Sequence, residues 1–355
     1  MLSLSVSYFF YLGVCFALFM FFMMLGGFRF ILKSIQTIYR LAKSMLTHND
    51  PELALKENPD STMSRRSFMR YTASGGALAI VGMGLHGLDE AYEPPKADLI
   101  EISNSALEGL TRPIDIIQIT DLHYGMFYSN SNLEALVSKL NSINGDAVVI
   151  TGDIFHSPSS PVESAVPYLR QLRPRRWGNF AILGNHDFYA GVRRCVKAIR
   201  DSGLRLLRNE WITFREDGAN IHMGGIDDPQ VNWLTGKEIP NFGPFIKKKP
   251  VDPGFLLLLS HRPVVFPLAV KANVQLTLSG HTHGGQITFP APGVTRPWSV
   301  AGLVSPYTLG MYKSQNCQMY LNRGVGLTFI PVRINCPPEI AVIRLTASGK
   351  NSRKA

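Results

Sequence analysis

Five short stretches of this 355-residue chain gather side chains suited to metal and acid–base chemistry. They are Asp121-Leu122-His123, Gly152-Asp153, Gly184-Asn185-His186-Asp187, Ser260-His261 and Gly280-His281-Thr282-His283-Gly284-Gly285-Gln286. The chain has 9 histidines, and these stretches hold most of them. The set offers carboxylate, amide and imidazole but no thiolate. It therefore suits Mn, Fe, Zn or Mg rather than Cu(I) or an iron–sulfur cluster. Asp121, His123, Asp153, Asn185, His261, His281 and His283 are more ligands than one tetrahedral site takes. They fit two divalent ions that share a bridging carboxylate. Such a pair can clamp the attacking and leaving oxygens of a phosphoryl transfer and lower the pKa of a water between them.

The elements that must position these residues are legible in the hydrophobic pattern. Each stretch follows a short apolar run: Ile114–Ile119, Ala147–Ile150, Phe180–Leu183, Phe255–Leu259 and Gln275–Leu278. Runs of this length, rich in Val, Ile, Leu and Phe, predict strands buried on both faces. Helical patterns over Asn132–Leu140, Val162–Leu172, Val192–Ser202 and Val264–Val270 alternate with them, which argues an α/β architecture. Shorter strands are expected near Gln318–Leu321 and Ile340–Leu345, and the Pro- and Gly-rich region 286–310 reads as a long loop. In open α/β sheets ligands bind outside the carboxyl ends of strands. All five stretches are therefore expected on one rim.

The order D-x-H, G-D, G-N-H-D, H, G-H-x-H resembles the calcineurin-like metallophosphoesterases over about residues 112–346. The details LHYG, GHTHGGQ, NRGVG and CPPEI resemble the bacterial membrane-associated branch, whose members often carry twin-arginine signals. The resemblance implies a two-layer α/β sandwich of two mixed sheets with outer helices. It also implies a first metal on Asp121, His123, Asp153 and His283, and a second on Asp153, Asn185, His261 and His281. His186 would stay off the metals as general acid, with Asp187 orienting it. The implied reaction is hydrolysis of a phosphoester by a hydroxide bridging the two ions, as in a phosphodiesterase. A UDP-2,3-diacylglucosamine-type pyrophosphatase and a catalytically silent, membrane-anchored binding protein are the alternatives. One departure stands out. Many members read G-D-x-x-D, whereas this chain reads Gly152-Asp153-Ile154-Phe155-His156.

Other residues carry blander expectations. His156 could stand in for that missing carboxylate but reads rather as a loop histidine in solvent, and His222, on a strand pattern, reads as structural. Asp227 and Asp228 read as turn caps before Pro229. Arg323 suits either a substrate phosphate or a structural ion pair. Gly284 and Gly285 would let backbone amides approach the site. Four cysteines, with no C-x-x-C pair, exclude a disulfide framework and a zinc ribbon.

Composition bounds the rest. With 45% hydrophobic and 17% charged residues, gross disorder is excluded. The net charge of +10 comes from scattered residues, which suits a phosphorylated small-molecule or lipid substrate or an anionic membrane surface, not nucleic acid. Tyr8 to Phe28 carries no charge and is long enough to cross a bilayer. Residues 1–32 are thus expected to form a transmembrane anchor and 33–63 a cytoplasmic linker, since Arg29, Lys33, Arg40 and Lys43 follow the apolar run. Residues 64–90, opening Ser64-Arg65-Arg66-Ser67-Phe68, resemble a twin-arginine export signal or form a second membrane segment. Residues 91–355 form the phosphoesterase domain. The expected location is the inner membrane, with the catalytic domain outside the cytoplasm.

Overall fold

The computed structural model describes residues 65–228, 241–290 and 296–348. The chain divides into two compact units, Met1–Gly84 and Leu85–Ala355. The expected anchor and linker lie outside the described residues. Helix α1 covers Arg65–Tyr92. Among the described residues no helix, α1 included, is long and apolar enough to cross a membrane. The alternative of a second membrane segment at 64–90 therefore finds no support in that helix.

The second unit is built on two six-stranded sheets. The first comprises β1 (Lys96–Asn104), β2 (Ile114–Ile119), β3 (Ala147–Thr151), β4 (Gly178–Ile182), β5 (Arg205–Leu206) and β14 (Glu339–Ala347). Its order is β1-β14-β2-β3-β4-β5, with β2 through β5 parallel and β14 antiparallel to β2. The second comprises β6 (Glu210–Glu216), β7 (Ala219–Ile226), β8 (Phe255–Ser260), β9 (Leu276–Ser279), β12 (Gly310–Ser314) and β13 (Cys317–Leu321). Its order is β12-β13-β9-β8-β7-β6, parallel in the middle and antiparallel at both margins. Both sheets are mixed, as the resemblance implies.

The period-two rule explains how the sheets pack. In β2, Ile114 and Ile116 face the second sheet, where Met223, Leu257, Leu259 and Leu278 meet them. Ile117 and Ile119 face the other way, onto Leu133, Leu136 and Leu140 of helix α2 (Asn130–Ser142). In β8, Leu256 and Leu258 turn outward onto Phe242, Phe245 and Ala269. Every residue of β8 is buried, which is why that strand is an unbroken apolar run. Each such leucine contributes about 1.5–3 kcal/mol of burial. Buried Gln118 breaks the apolar interface to tie the layers: its Nε2 donates to Thr151 Oγ1 and to the Ser279 carbonyl.

Two expectations shift. Val162–Leu172 is a 3-10 turn, Val162–Ala165, followed by helix α3, Val166–Leu169. Pro167 has no N–H for an i→i−4 bond, so it starts a helix rather than continuing one. The region 286–310 is not loop throughout: β10 (Thr288–Phe289) pairs antiparallel with β11 (Trp298–Ser299), and Val300–Leu303 forms a 3-10 turn.

Candidate metal centre

The parallel strands deliver their carboxyl ends to one place. The chain leaving β2 carries Asp121 and His123, and that leaving β3 carries Asp153. The two segments stay zipped beyond the sheet: the Asp121 N–H donates to the Gly152 carbonyl and the His123 N–H to the Asp153 carbonyl. After β4 comes helix α4, Asn185–Tyr189, which opens on Asn185 and His186. From the opposing sheet, β8 ends at His261 and β9 at His281 and His283. The rim expected from the sequence is thus assembled from both layers.

The candidate ligands fall into two groups. Nitrogen and oxygen atoms of Asp121, His123 and His283 converge in one, and those of Asp153, His261 and His281 in the other. Asp153 lies between them. Its Oδ2 is 3.6 Å from His123 Nε2 and 3.1 Å from His261 Nε2. His123 Nε2 and His283 Nε2 approach to 2.9 Å, and His283 Nε2 lies 3.4 Å from Asp121 Oδ1. His281 Nδ1 is 3.3 Å from His261 Nε2. The backbone N–H of His281 donates to both carboxylate oxygens of Asp121, which locks the two sheets together at the site.

Local backbone geometry is unusual where the ligands sit. Asp121, His123, Asp153, His281 and His283 all have positive φ, between 47° and 79°. The left-handed region costs a non-glycine residue about 1–3 kcal/mol, so such residues persist only where the surroundings enforce them. The glycines beside the ligands leave room for this crowding. A Cβ on Gly184 would collide with Asp153 Oδ1, and one on Gly280 with Thr120 Oγ1 and Asp121 Oδ2.

Burial decides the charge states. It pushes His123 down to about 3 and holds His281 and His283 well below the usual imidazole range, so all three are neutral. The 3.6 Å approach of His123 to Asp153 is therefore not an ion pair. His261 behaves differently. Burial disfavours its imidazolium, but the Asp153 carboxylate outweighs that and lifts His261 to about 10. Burial likewise opposes the charge on Asp153, yet the His261 imidazolium holds it well below the usual carboxylate range. Burial, with the charge of Asp153 adding to it, raises Asp121 to about 6.

Three observations fit divalent metal. Three neutral imidazoles and two carboxylates converge with their ligand atoms close together. Asn185 is buried, and its Oδ1 has no hydrogen-bond partner among the described residues. His261 Nδ1 is turned outward onto the Thr151 carbonyl, 2.9 Å away, which leaves Nε2 facing the site.

His186 lies where the acid is expected. Its backbone N–H donates to Asp153 Oδ1 at 2.8 Å, and its ring stands 4.6 Å from that of His123, nearly perpendicular. Asp187 does not orient that ring. Its carboxylate accepts from the Phe155 and Gly184 N–H groups and so caps helix α4. The ring is held instead by its Nδ1 against the His156 carbonyl, at 2.7 Å. His156 itself is not a solvent histidine: its Nδ1 is 3.0 Å from His123 Nδ1, and its ring stacks on that of His186. The sequence alone favours solvent over the site for His156, because a single histidine three residues after Asp153 carries no pattern of its own.

The remaining expectations resolve as follows. His222 is structural, bonded to Thr213 Oγ1 and the Asp252 carbonyl. Asp227 pairs with Arg208, and buried Asp228 with Arg262, so neither is a simple turn cap. Arg323 is committed to Glu339 and Asp98 rather than presented to a ligand. Gly284 is left-handed at φ 63°, and a Cβ there would meet Cys336 Sγ at 2.5 Å, so close packing explains it. Arg333, fully buried, was not singled out. It donates to the carbonyls of Arg323, Gly324, Gly326 and Cys336 and pins the turn whose Gly326 N–H reaches the Asp121 carbonyl.

Comparison with known proteins agrees with this geometry. The model of the calcineurin-like phosphoesterase family matches residues 114–285, the span that holds every candidate ligand. An uncharacterized metallophosphoesterase of Bacillus subtilis is 31% identical over 297 residues, which cover 81% of this chain and 99% of that protein. One from Helicobacter pylori is 31% identical over 286 residues, 79% of this chain and 72% of that one. A zebrafish protein described as a transmembrane protein with metallophosphoesterase domain is 32% identical over 297 residues, 79% of this chain but only 65% of its own length. The family match over residues 114–285 and the Bacillus relative, matched over 99% of its length, together place the chain in the calcineurin-like metallophosphoesterases, a family of metal-dependent phosphoester hydrolases.

Proposed function

We propose that the chain is a phosphodiesterase that uses two divalent ions and acts on a lipid or envelope phosphate outside the cytoplasm, tethered by its N-terminal segment. The observation that carries the two-ion reading is the position of Asp153 between two ligand groups, 3.6 Å from His123 on one side and 3.1 Å from His261 on the other. Asp121, His123, Asp153 and His283 would hold one ion; Asp153, Asn185, His261 and His281 would hold the other. Divalent ions there supply positive charge that polarises a phosphoryl oxygen and lowers the pKa of water. The protein does the rest. Buried neutral imidazoles keep lone pairs free for donation, and the strained loops fix the ligands before substrate arrives. His186 donates Nδ1–H to the His156 carbonyl, so Nε2 is the nitrogen that passes a proton to the leaving oxygen. A lipid or envelope phosphate fits the uncharged Tyr8–Phe28 run and the basic balance of the chain.

The test is hydrolysis of bis(nitrophenyl) phosphate by the full chain in detergent, stripped with chelator and then reloaded with Mn. Turnover should vanish on stripping and return on loading, and the diester should be cleaved faster than nitrophenyl phosphate. A fully loaded protein that cleaves the monoester faster would refute the diesterase assignment.

A further inference from the structure

The departure at position 156 lies at the centre of the site. The ring of His156 reaches His123, while its backbone carbonyl reaches His186. His123 turns Nε2 toward Asp121, Asp153 and His283 and has only Nδ1 left for a partner. A neutral imidazole that donates its Nε2 lone pair to a metal carries its proton on Nδ1. That proton points at His156 Nδ1, 3.0 Å away. His156 Nδ1 must then accept, which places the His156 proton on Nε2. The carbonyl of the same residue accepts from His186 Nδ1 at 2.7 Å, and the two rings stack at 4.8 Å between centroids, 25° apart.

The segment that carries His156 is itself built in. The N–H groups of His156 and Ser157 both donate to Ser160 Oγ, and Ser160 is buried. Arg194 donates to the Pro158 and Ser160 carbonyls from the helix Val192–Asp201, which becomes α5.

We infer that His156 is a positioning residue that sets two tautomers at once: its side chain holds the ligand His123 with Nε2 toward the metal, and its main chain holds His186 with Nε2 toward the leaving group. An imidazole here does the work of a carboxylate that would otherwise accept the His123 proton, and it does so without adding a negative charge beside Asp153. The inference rests on the proposed metal-dependent reaction, but its primary readout needs no substrate.

Two variants separate the hydrogen bond from the ring. In His156→Asn, Oδ1 occupies the place of Nδ1 and keeps the acceptor while losing the ring. In His156→Phe the ring stays and the acceptor is lost. Mn affinity of the full chain is measured by chelator competition without substrate, alongside thermal melting of the metal-free protein. Partners that orient metal ligands are typically worth about 10–100-fold in affinity. His156→Phe should lose that much and His156→Asn should stay close to wild type, with the melting of both metal-free variants unchanged. Equal losses in the two variants, or full affinity in His156→Phe, would overturn the assignment. The nitrogens of His123, His156 and His186 also lie close enough to hold an ion among themselves. A third Mn per chain in wild type that is absent from both variants would make His156 a ligand and overturn it equally.

Discussion

His186 and His261 carry the sharpest expectations at the scale of single residues. His186→Ala removes a proton donor but no proposed ligand, so both ions should remain bound. General acid catalysis is worth about 10²–10⁴-fold. The loss should be large for alkyl leaving groups and small for nitrophenol, which departs without protonation. An equal loss with both leaving groups would remove His186 from the acid role. His261 sets the pH dependence of metal uptake. Its pKa is raised to about 10 without metal, so a proton must leave before Nε2 can donate. Asp121, at about 6, is already ionised above that pH. Mn affinity should therefore rise about tenfold per pH unit between 6 and 10, more steeply below 6 and not at all above 10. Affinity that is flat across pH 7–9 would show that His261 is neutral in the metal-free protein.

At the scale of elements, the strands that hold the site are also the most buried. Leu257 of β8 is fully buried between the sheets, so Leu257→Ala should cost about 2–5 kcal/mol in denaturant unfolding while leaving the ligands in place. Gly280→Ala should act in the opposite way. Its Cβ would press on Thr120 and Asp121, so metal affinity should fall sharply with only a modest change in stability. These central strands were legible because burial on both faces leaves an unbroken apolar run, as in Phe255–Leu259. The marginal strands were not. β1 reads Lys-Ala-Asp-Leu-Ile-Glu-Ile-Ser-Asn and β6 carries Glu210, Arg215 and Glu216, because an edge strand keeps one side in water. The candidate ligands could be picked out in the sequence because each follows such a run within a few residues. The contact of His156 with His123 and the role of Arg333 were not, because both arise across the fold, Arg333 reaching carbonyls of the 323–336 turn. Asp187 was misread for the same reason, since a carboxylate next to a histidine in sequence serves the helix cap in space.

At the scale of the whole molecule, two proposals meet: which side of the membrane the domain occupies, and how many ions it holds. Replacing Arg65 and Arg66 by lysine, with a reporter active only outside the cytoplasm fused after Ala355, should silence the reporter if residues 64–90 direct export. A reporter silent in the unaltered chain would favour a cytoplasmic pyrophosphatase acting on a UDP-linked lipid. The central claim is more local, and it rests on the shared carboxylate of Asp153. The most direct measurement is the number of Mn ions bound per chain, by elemental analysis after loading and desalting, in wild type and in Asp153→Asn. Two ions in wild type, with loss of both ions and of turnover in the variant, is the predicted result. A wild type that saturates at one ion, or an Asp153→Asn chain that keeps two ions and full turnover, would contradict it.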